Sequence, residues 1–236
     1  MRRLFITGSG TGVGKTLVTC LLVRQLRAAG RAVRALKPVA SGFDPAAVAG
    51  SDTGRLLAAM DEPFDAAAIG SVSPWRFGAP LSPDMAAARE GRRLDVGEIA
   101  GFCRYAGPAE GDAVVLVEGI GGAMVPLSDD ETVLDWMAAL GWPVLLVGGS
   151  YLGALSHTLC TLEAVRLRGL PLAGIVISES EDSPVPLDET AETIGRFAAG
   201  IPVIALPRID TARPAAETAP HIARRLGLLD TESGVG

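Results

Sequence analysis

A glycine-rich segment near the start of the chain has the residues needed to hold a nucleotide phosphate. It begins at Gly8 and ends in Gly14, Lys15 and Thr16. Glycines let backbone N–H groups wrap around phosphate oxygens, and a helix that follows such a loop adds partial positive charge at its N-terminus. Lys15 would reach the β- and γ-phosphates, and the Thr16 hydroxyl would bind Mg²⁺. Five residues separate Gly8 from Gly14, one more than in the common phosphate-binding loop.

Three charged side chains could complete a site for phosphate and metal. Glu118 directly follows a continuous apolar run, which places it at the end of a predicted central strand, where open parallel sheets bind ligands. Asp52 lies at the predicted start of a helix, where it is either a metal ligand or a plain helix cap. Lys37 ends another predicted strand. A second lysine at the same edge of the sheet as the phosphate loop indicates a role in phosphate chemistry.

Apolar runs alternate with helical patterns along the chain, which predicts an α/β fold with a mostly parallel sheet and helices on both faces. Together with the phosphate loop, this predicts a fold of the P-loop NTPase type. Strands are predicted at residues 4–6, 33–36, 113–117, 143–147, 172–177 and 203–206. A helix is predicted over 15–29, and others begin at Ser82-Pro83 and after Asp95. The Gly- and Pro-rich stretches 42–50 and 69–83 are predicted to be loops of an active site or interface. We expect a single domain over 1–229 and a frayed tail at 230–236.

Composition limits the classes of protein to consider. The 236 residues carry a formal net charge of −6 without a long basic run, which argues against a nucleic-acid partner. No apolar run reaches the ~18 residues of a membrane span. Cys20, Cys103 and Cys160 lie far apart, so we expect reduced core residues rather than metal ligands. The sequence therefore predicts a cytoplasmic protein without a signal peptide or a membrane partner.

Several motifs, in the same order along the chain, resemble those of the dethiobiotin synthetase family. The family loop contains the same extra residue and ends in Val-Gly-Lys-Thr. The further motifs of this resemblance are Lys37-Pro38-Val39-Ala40-Ser41-Gly42, Ser51-Asp52, Ser82-Pro83, Val117-Glu118-Gly119-Ile120-Gly121-Gly122, and the segment from Leu152 to His157. The resemblance covers residues 4–178 and is thin after Ser178.

The resemblance implies an ATP- and Mg²⁺-dependent ligase of biotin biosynthesis that joins 7,8-diaminononanoate and CO2 into a cyclic urea, and acts as a homodimer. It implies an ATP site formed by Gly12, Val13, Gly14, Lys15, Thr16, Leu17, Ser178 and Pro207. The implied metal ligands are Thr16, Asp52 and Glu118, and the implied catalytic residues are Lys15, Lys37 and Thr11. The implied substrate contacts are Thr11, Lys37 and Ser41, with Tyr151, Leu152 and Gly153 acting across a dimer interface.

Two positions depart from the family pattern. Asp84 stands where many members have a histidine after Ser-Pro. Ser178 aligns with a common asparagine that helps to read adenine. A serine makes fewer and shorter-reaching hydrogen bonds than an amide. The second departure predicts weaker selection of the nucleotide base but leaves phosphate binding unaffected.

Two other readings of the sequence remain open. Another P-loop amidoligase, such as a cobyrinate diamide synthase, usually carries a glutaminase domain with a cysteine nucleophile, and no such domain is predicted here. A nucleotide switch of the ParA/MinD type has an extra lysine early in the phosphate loop, where this chain has Ser9, Gly10 and Thr11. A basic amphipathic membrane helix, which would also mark such a switch, is absent from the C-terminal sequence.

Overall fold

The computed structural model describes residues 3–106, 113–209 and 220–229, and the predicted tail at 230–236 lies outside these ranges. A central sheet of six parallel strands runs in the order β2-β5-β1-β6-β7-β8, and β3 pairs in parallel with β4 in a separate small sheet. The strand bounds are β1 Arg3–Gly8, β2 Val33–Leu36, β3 Val39–Ser41, β4 Trp75–Phe77, β5 Val114–Glu118, β6 Val144–Gly148, β7 Leu172–Ser178 and β8 Val203–Leu206.

Helices cover both faces of the central sheet, so the predicted fold class is confirmed. The principal helices are α1 Lys15–Ala28, α2 Asp52–Met60, α3 Ala66–Val72, α4 Pro83–Arg89, α5 Val96–Tyr105, α6 Val133–Leu140, α7 Ala154–Leu167 and α8 Leu187–Phe197. A short helix follows at Ile222–Arg225, and a 3-10 turn at Val48–Gly50 precedes α2. The first three helices and Ile222–Arg225 pack on one face, and α4 to α8 pack on the other.

The central strand β5 is buried along its whole length, as its continuous apolar run predicts. Alternate side chains enter opposite cores: Leu116 packs with α1 and α2, whereas Val115 and Val117 pack with α5 and α6. Glu118 is the last residue of this strand and has no exposed surface. A fully buried carboxylate is therefore fixed at the carboxyl edge of the sheet.

Three local predictions differ from the structure. Residues 69–83 are not a continuous loop, because they contain the end of α3 and all of β4, whose three residues are too few for a periodic pattern. A helix does begin at Ser82-Pro83, with Ser82 as the N-cap residue of α4, but the Ser82 side chain makes no capping hydrogen bond and its Oγ is buried without a partner. Cys20 and Cys103 are buried, but Cys160 is exposed because it lies on the outward side of α7.

Candidate active site

The parallel order of β2, β5 and β1 brings three chain segments to one edge of the sheet. The phosphate loop follows β1, Lys37 follows β2 directly, and Glu118 ends β5. A cavity of about 510 Å³ opens at this edge. The predicted site residues that line it are Thr11, Gly12, Gly14, Lys15, Thr16, Leu17, Lys37, Ser41 and Asp52.

Backbone geometry explains the glycines of the phosphate loop. Gly12 and Gly14 have φ of 74° and 94°, which L side chains rarely adopt. A Cβ on Gly14 would also lie 2.7 Å from Ser178 Oγ. Gly14 is the N-cap of α1, so this conformation directs the first N–H groups of the helix toward the cavity. Val13 is buried beneath the loop and packs in the core with α1.

Lys15 is buried at the start of α1, and its Nζ donates a hydrogen bond to Gly10 O at 2.7 Å. Burial, together with the nearby charge of Lys37, lowers the pKa of Lys15 to about 8. The charges of Glu118 and Asp52 act in the opposite direction. The ammonium is therefore held over the loop in a site where an incoming anion would stabilise its charge.

Three oxygen-bearing side chains meet beside the loop. Thr16 Oγ1 lies 2.8 Å from Asp52 Oδ1 and 2.8 Å from Glu118 Oε1. One hydroxyl proton can serve only one of these carboxylates at a time. Glu118 Oε2 is buried with no hydrogen-bond partner. An oxygen-only set with spare lone pairs fits Mg²⁺, which prefers a few protein oxygens together with phosphate oxygens.

Asp52 is not the cap of α2, which is one of the two roles that the sequence leaves open for it. The N-cap of α2 is Ser51, whose Oγ accepts a hydrogen bond from Gly54 N at 3.1 Å. Asp52 is the next residue, and its carboxylate faces Thr16 and Lys37 instead of the helix. Burial would raise the pKa of Asp52, but the charge of Lys37 and the hydrogen bond from Thr16 outweigh it and hold the pKa below its usual value.

Lys37 is the most enclosed cation of the site, with 3% of its surface exposed. Its Nζ donates to Glu118 Oε1 at 2.7 Å and to Gly119 O at 2.8 Å, and it lies 3.2 Å from Asp52 Oδ2. Burial by itself lowers the pKa of Lys37, but the charges of Glu118 and Asp52 raise it above its usual value. The side chain is thus an ammonium group at neutral pH.

Val13 and Glu118 are buried behind the cavity wall, and two further groups of predicted residues lie outside its lining. Ser178 ends β7 and packs against the loop at Gly14, and Pro207 is exposed just after β8. Between them, Glu179 Oε2 accepts a hydrogen bond from the backbone N–H of Arg208 at 2.9 Å. Glu179 therefore holds the segment after β8 beside Ser178, a contact that sequence reasoning did not predict.

The second group is the turn that precedes α7. Gly153 is the N-cap of α7 with φ 95°, and the neighbouring Leu152 is 86% exposed. Tyr151 Oη lies 2.9 Å from His157 Nδ1, and a Cβ on Gly10 would lie 4.0 Å from the same hydroxyl. The turn is therefore next to the phosphate loop but presents its apolar side chain to the surface.

Sequence reasoning also missed Arg55, an exposed residue that lines the cavity. Arg55 follows Asp52 by three residues, so the two side chains share one side of α2. The charge of Arg55 contributes to the lowered pKa of Asp52. The three-residue spacing from Asp52 is the sequence feature that could have indicated that Arg55 lies at the same site.

The chain is similar to known proteins in both its sequence and its fold. A family model described as an AAA domain matches residues 2–215. The chain is 49% identical over 208 residues to "ATP-dependent dethiobiotin synthetase BioD" of Acidiphilium cryptum (strain JF-5), a match that covers 86% of this chain and 91% of that protein. It is 50% identical over 214 residues to the protein of the same name from Methylobacterium nodulans, and this match covers 88% of this chain and 94% of that protein.

Among solved structures, the MinC:MinD cell division protein complex of Aquifex aeolicus matches with a TM-score of 0.56, 12% identity and 98% coverage of each chain. The MinD cell division ATPase of Pyrococcus furiosus matches with a TM-score of 0.50, 16% identity, and coverage of 98% of this chain and 100% of that chain. At such low identity these matches establish the fold alone. Within the described ranges, no helix is long and apolar enough to cross a membrane. The sequence matches, at nearly half identity over most of the chain, establish that it belongs to the ATP-dependent dethiobiotin synthetase family.

Proposed function

We propose that this protein is an ATP-dependent dethiobiotin synthetase, which converts 7,8-diaminononanoate, CO2 and ATP into dethiobiotin, ADP and phosphate. The observation that carries the proposal is the meeting of Lys15, Lys37, Thr16 and Asp52 at one cavity. The buried Glu118 lies directly behind them, in contact with Thr16 and Lys37. Phosphoryl transfer between two anions needs cations fixed where negative charge develops. Membership of the family supplies the identity of the substrates.

The reaction has three steps whose demands match the site. One substrate amine adds to CO2 and loses a proton, which gives a carbamate. A carbamate oxygen then attacks the γ-phosphorus of ATP, ADP leaves, and a carbamic–phosphoric anhydride forms. The second amine attacks the anhydride carbonyl, the C–O bond to phosphate breaks, the amine loses its proton, and the urea ring closes. Only the second step brings two anions together, so it depends most on Lys15 and Lys37.

Each side chain has a role that follows from its position. Thr16, Asp52 and Glu118 would hold Mg²⁺, which when bound supplies positive charge to the phosphate oxygens. Lys15, beside the loop, would bind the transferred phosphoryl group. The hydroxyls of Thr11 and Ser41 line the cavity and would hydrogen-bond the carbamate or the diamine.

We further propose a cytoplasmic homodimer whose substrate site spans both subunits. The exposed Leu152 beside the N-terminus of α7 supports this arrangement, since a surface leucine suits a partner subunit, and a helix N-terminus without a side-chain cap suits a substrate carboxylate. Light scattering at micromolar concentration should give about twice the 24.3 kDa chain mass, and Leu152→Glu should lower it. A monomer that retains full turnover would exclude a shared site.

The test of the reaction is mass spectrometry of the products formed from 7,8-diaminononanoate, ¹³C-bicarbonate and MgATP. We expect a cyclic urea that carries one labelled carbon, together with equimolar ADP. Lys15→Ala is the matched control and should give neither product in quantity. ATP hydrolysis without a labelled product would instead indicate a nucleotide switch, and amide formation from added ammonia would indicate an amidoligase.

A further inference from the structure

The ammonium group of Lys37 already lies against Asp52 and Glu118, the two carboxylates whose charge the proposed metal would neutralise. Lys37 Nζ donates to Glu118 Oε1 at 2.7 Å and lies 3.2 Å from Asp52 Oδ2. Its third contact is with Gly119 O at 2.8 Å. The ammonium therefore directs its donors at the carboxylates and a carbonyl instead of at the open cavity.

Physical chemistry explains why the two carboxylates need a cation beside them. Glu118 is fully buried, and a buried carboxylate without a partner is strongly unfavourable. Asp52 and Glu118 both approach the same Thr16 hydroxyl to 2.8 Å, and without a cation they would repel each other. Of the two Glu118 oxygens, Oε1 is the one that meets Thr16 Oγ1, and it accepts from Lys37 as well. A metal ion held by Thr16 and this oxygen therefore competes with the lysine.

We infer that Lys37 is a stand-in cation, which neutralises Asp52 and Glu118 in the metal-free protein and is displaced from Glu118 when Mg²⁺ enters. The displaced ammonium would then be free to turn toward the anions in the cavity. Lys37 thus becomes available to the substrate only after the metal has bound. This inference rests on the proposed assignment of Thr16, Asp52 and Glu118 as metal ligands.

The first test measures binding of Mn²⁺ alone, without nucleotide, by electron paramagnetic resonance. Wild-type protein must give up the Lys37 contacts on binding, whereas Lys37→Met leaves both carboxylates uncompensated. We therefore expect the Kd for Mn²⁺ to fall by about tenfold or more in Lys37→Met.

Lys15→Met is the matched control, because it removes the other lysine of the cavity. Lys15 Nζ bonds Gly10 O and no carboxylate, so we expect the Kd for Mn²⁺ to change by no more than about threefold at physiological salt. An equal gain in both variants would refute the inference, since it would reflect the general charge of the cavity rather than occupation of the site. An unchanged Kd in Lys37→Met would refute it as well.

A second measurement uses the folded wild-type protein, in case Lys37→Met fails to fold. Lys15 and Lys37 are the only lysines in the sequence, so ¹⁵Nζ-lysine labelling gives two ammonium groups to follow by NMR. The buried Lys37 ammonium should give a signal protected from exchange in metal-free protein, and this signal should be lost at saturating Mg²⁺. A signal that stays unchanged at saturation would overturn the inference.

Failure of the metal assignment gives a different result from failure of the inference. Glu118→Gln should weaken Mn²⁺ binding if Glu118 is a ligand. If Glu118→Gln and Asp52→Asn both bind Mn²⁺ as wild type does, the metal lies elsewhere and the proposed site is wrong. If they weaken binding while Lys37→Met does not strengthen it, the ligands stand and the stand-in role of Lys37 is wrong.

Discussion

Replacing Glu118 with glutamine would test the buried charge network through stability and turnover together. Glutamine keeps the shape of the side chain but removes the charge that faces Lys37 Nζ at 2.7 Å. Removing one partner of a buried ion pair typically costs about 3–5 kcal/mol, because the other charge is left unpaired. Here Asp52 Oδ2, at 3.2 Å, still faces Lys37. We therefore expect the free energy of unfolding to fall by less than this range, by about 2 kcal/mol.

The assay is urea denaturation in the absence of metal and nucleotide. Tryptophan fluorescence can report the transition, because Trp136, one of the three tryptophans, is fully buried and packs edge-on against Phe5. The control is Glu163→Gln, whose side chain is 60% exposed and pairs with Arg166 on the surface, so it should change stability by less than about 1 kcal/mol.

The same variant also loses a proposed metal ligand. Turnover at saturating MgATP should therefore fall by about 100-fold or more. The two readouts together decide whether the reasoning holds. If Glu118→Gln unfolds at the same urea concentration as the wild type and keeps its turnover, then Glu118 neither balances the charge of Lys37 nor binds the metal, and the reasoning is refuted.

Three further predictions concern the nucleotide. Lys15→Ala should fold normally but lose on the order of 10³-fold in rate, because it removes a main cation that would bind the phosphates. Near-normal turnover would contradict the role assigned to Lys15. Burial lowers the pKa of Lys15 to about 8, and bound phosphates would favour its ammonium form. The protein should therefore take up about half a proton when ATP binds at pH 8, and the affinity for ATP should fall as the pH rises above 8. Calorimetry in buffers of different ionisation enthalpy measures this proton uptake, and Lys15→Ala should abolish it. Ser178 can make fewer hydrogen bonds to the nucleotide base than an amide could, so the kcat/KM values for ATP, GTP and CTP should agree within about 100-fold. Ser178→Asn should raise the preference for ATP. A larger selectivity in the wild type would mean that other groups read the base.

Local sequence determined the parts of the site that lie close together in the chain. The glycines of the phosphate loop, Lys15 and Thr16 are adjacent in sequence, and the strand before them and the helix after them follow from short-range patterns. The apolar run of β5 likewise placed Glu118 at a strand end. Such features depend on residue spacing and backbone conformation, which a sequence states directly.

The tertiary structure alone decided which of these groups touch. Lys37 and Glu118 are 81 residues apart, and Thr16 and Glu118 are 102 apart. Their contacts arise because β5 inserts between β2 and β1, and strand order is a long-range property that hydrophobic patterns do not encode. The choice of Ser51 over Asp52 as the cap of α2 also required the fold, since both residues suit a cap and only the packing of α2 against α1 turns Asp52 toward Thr16.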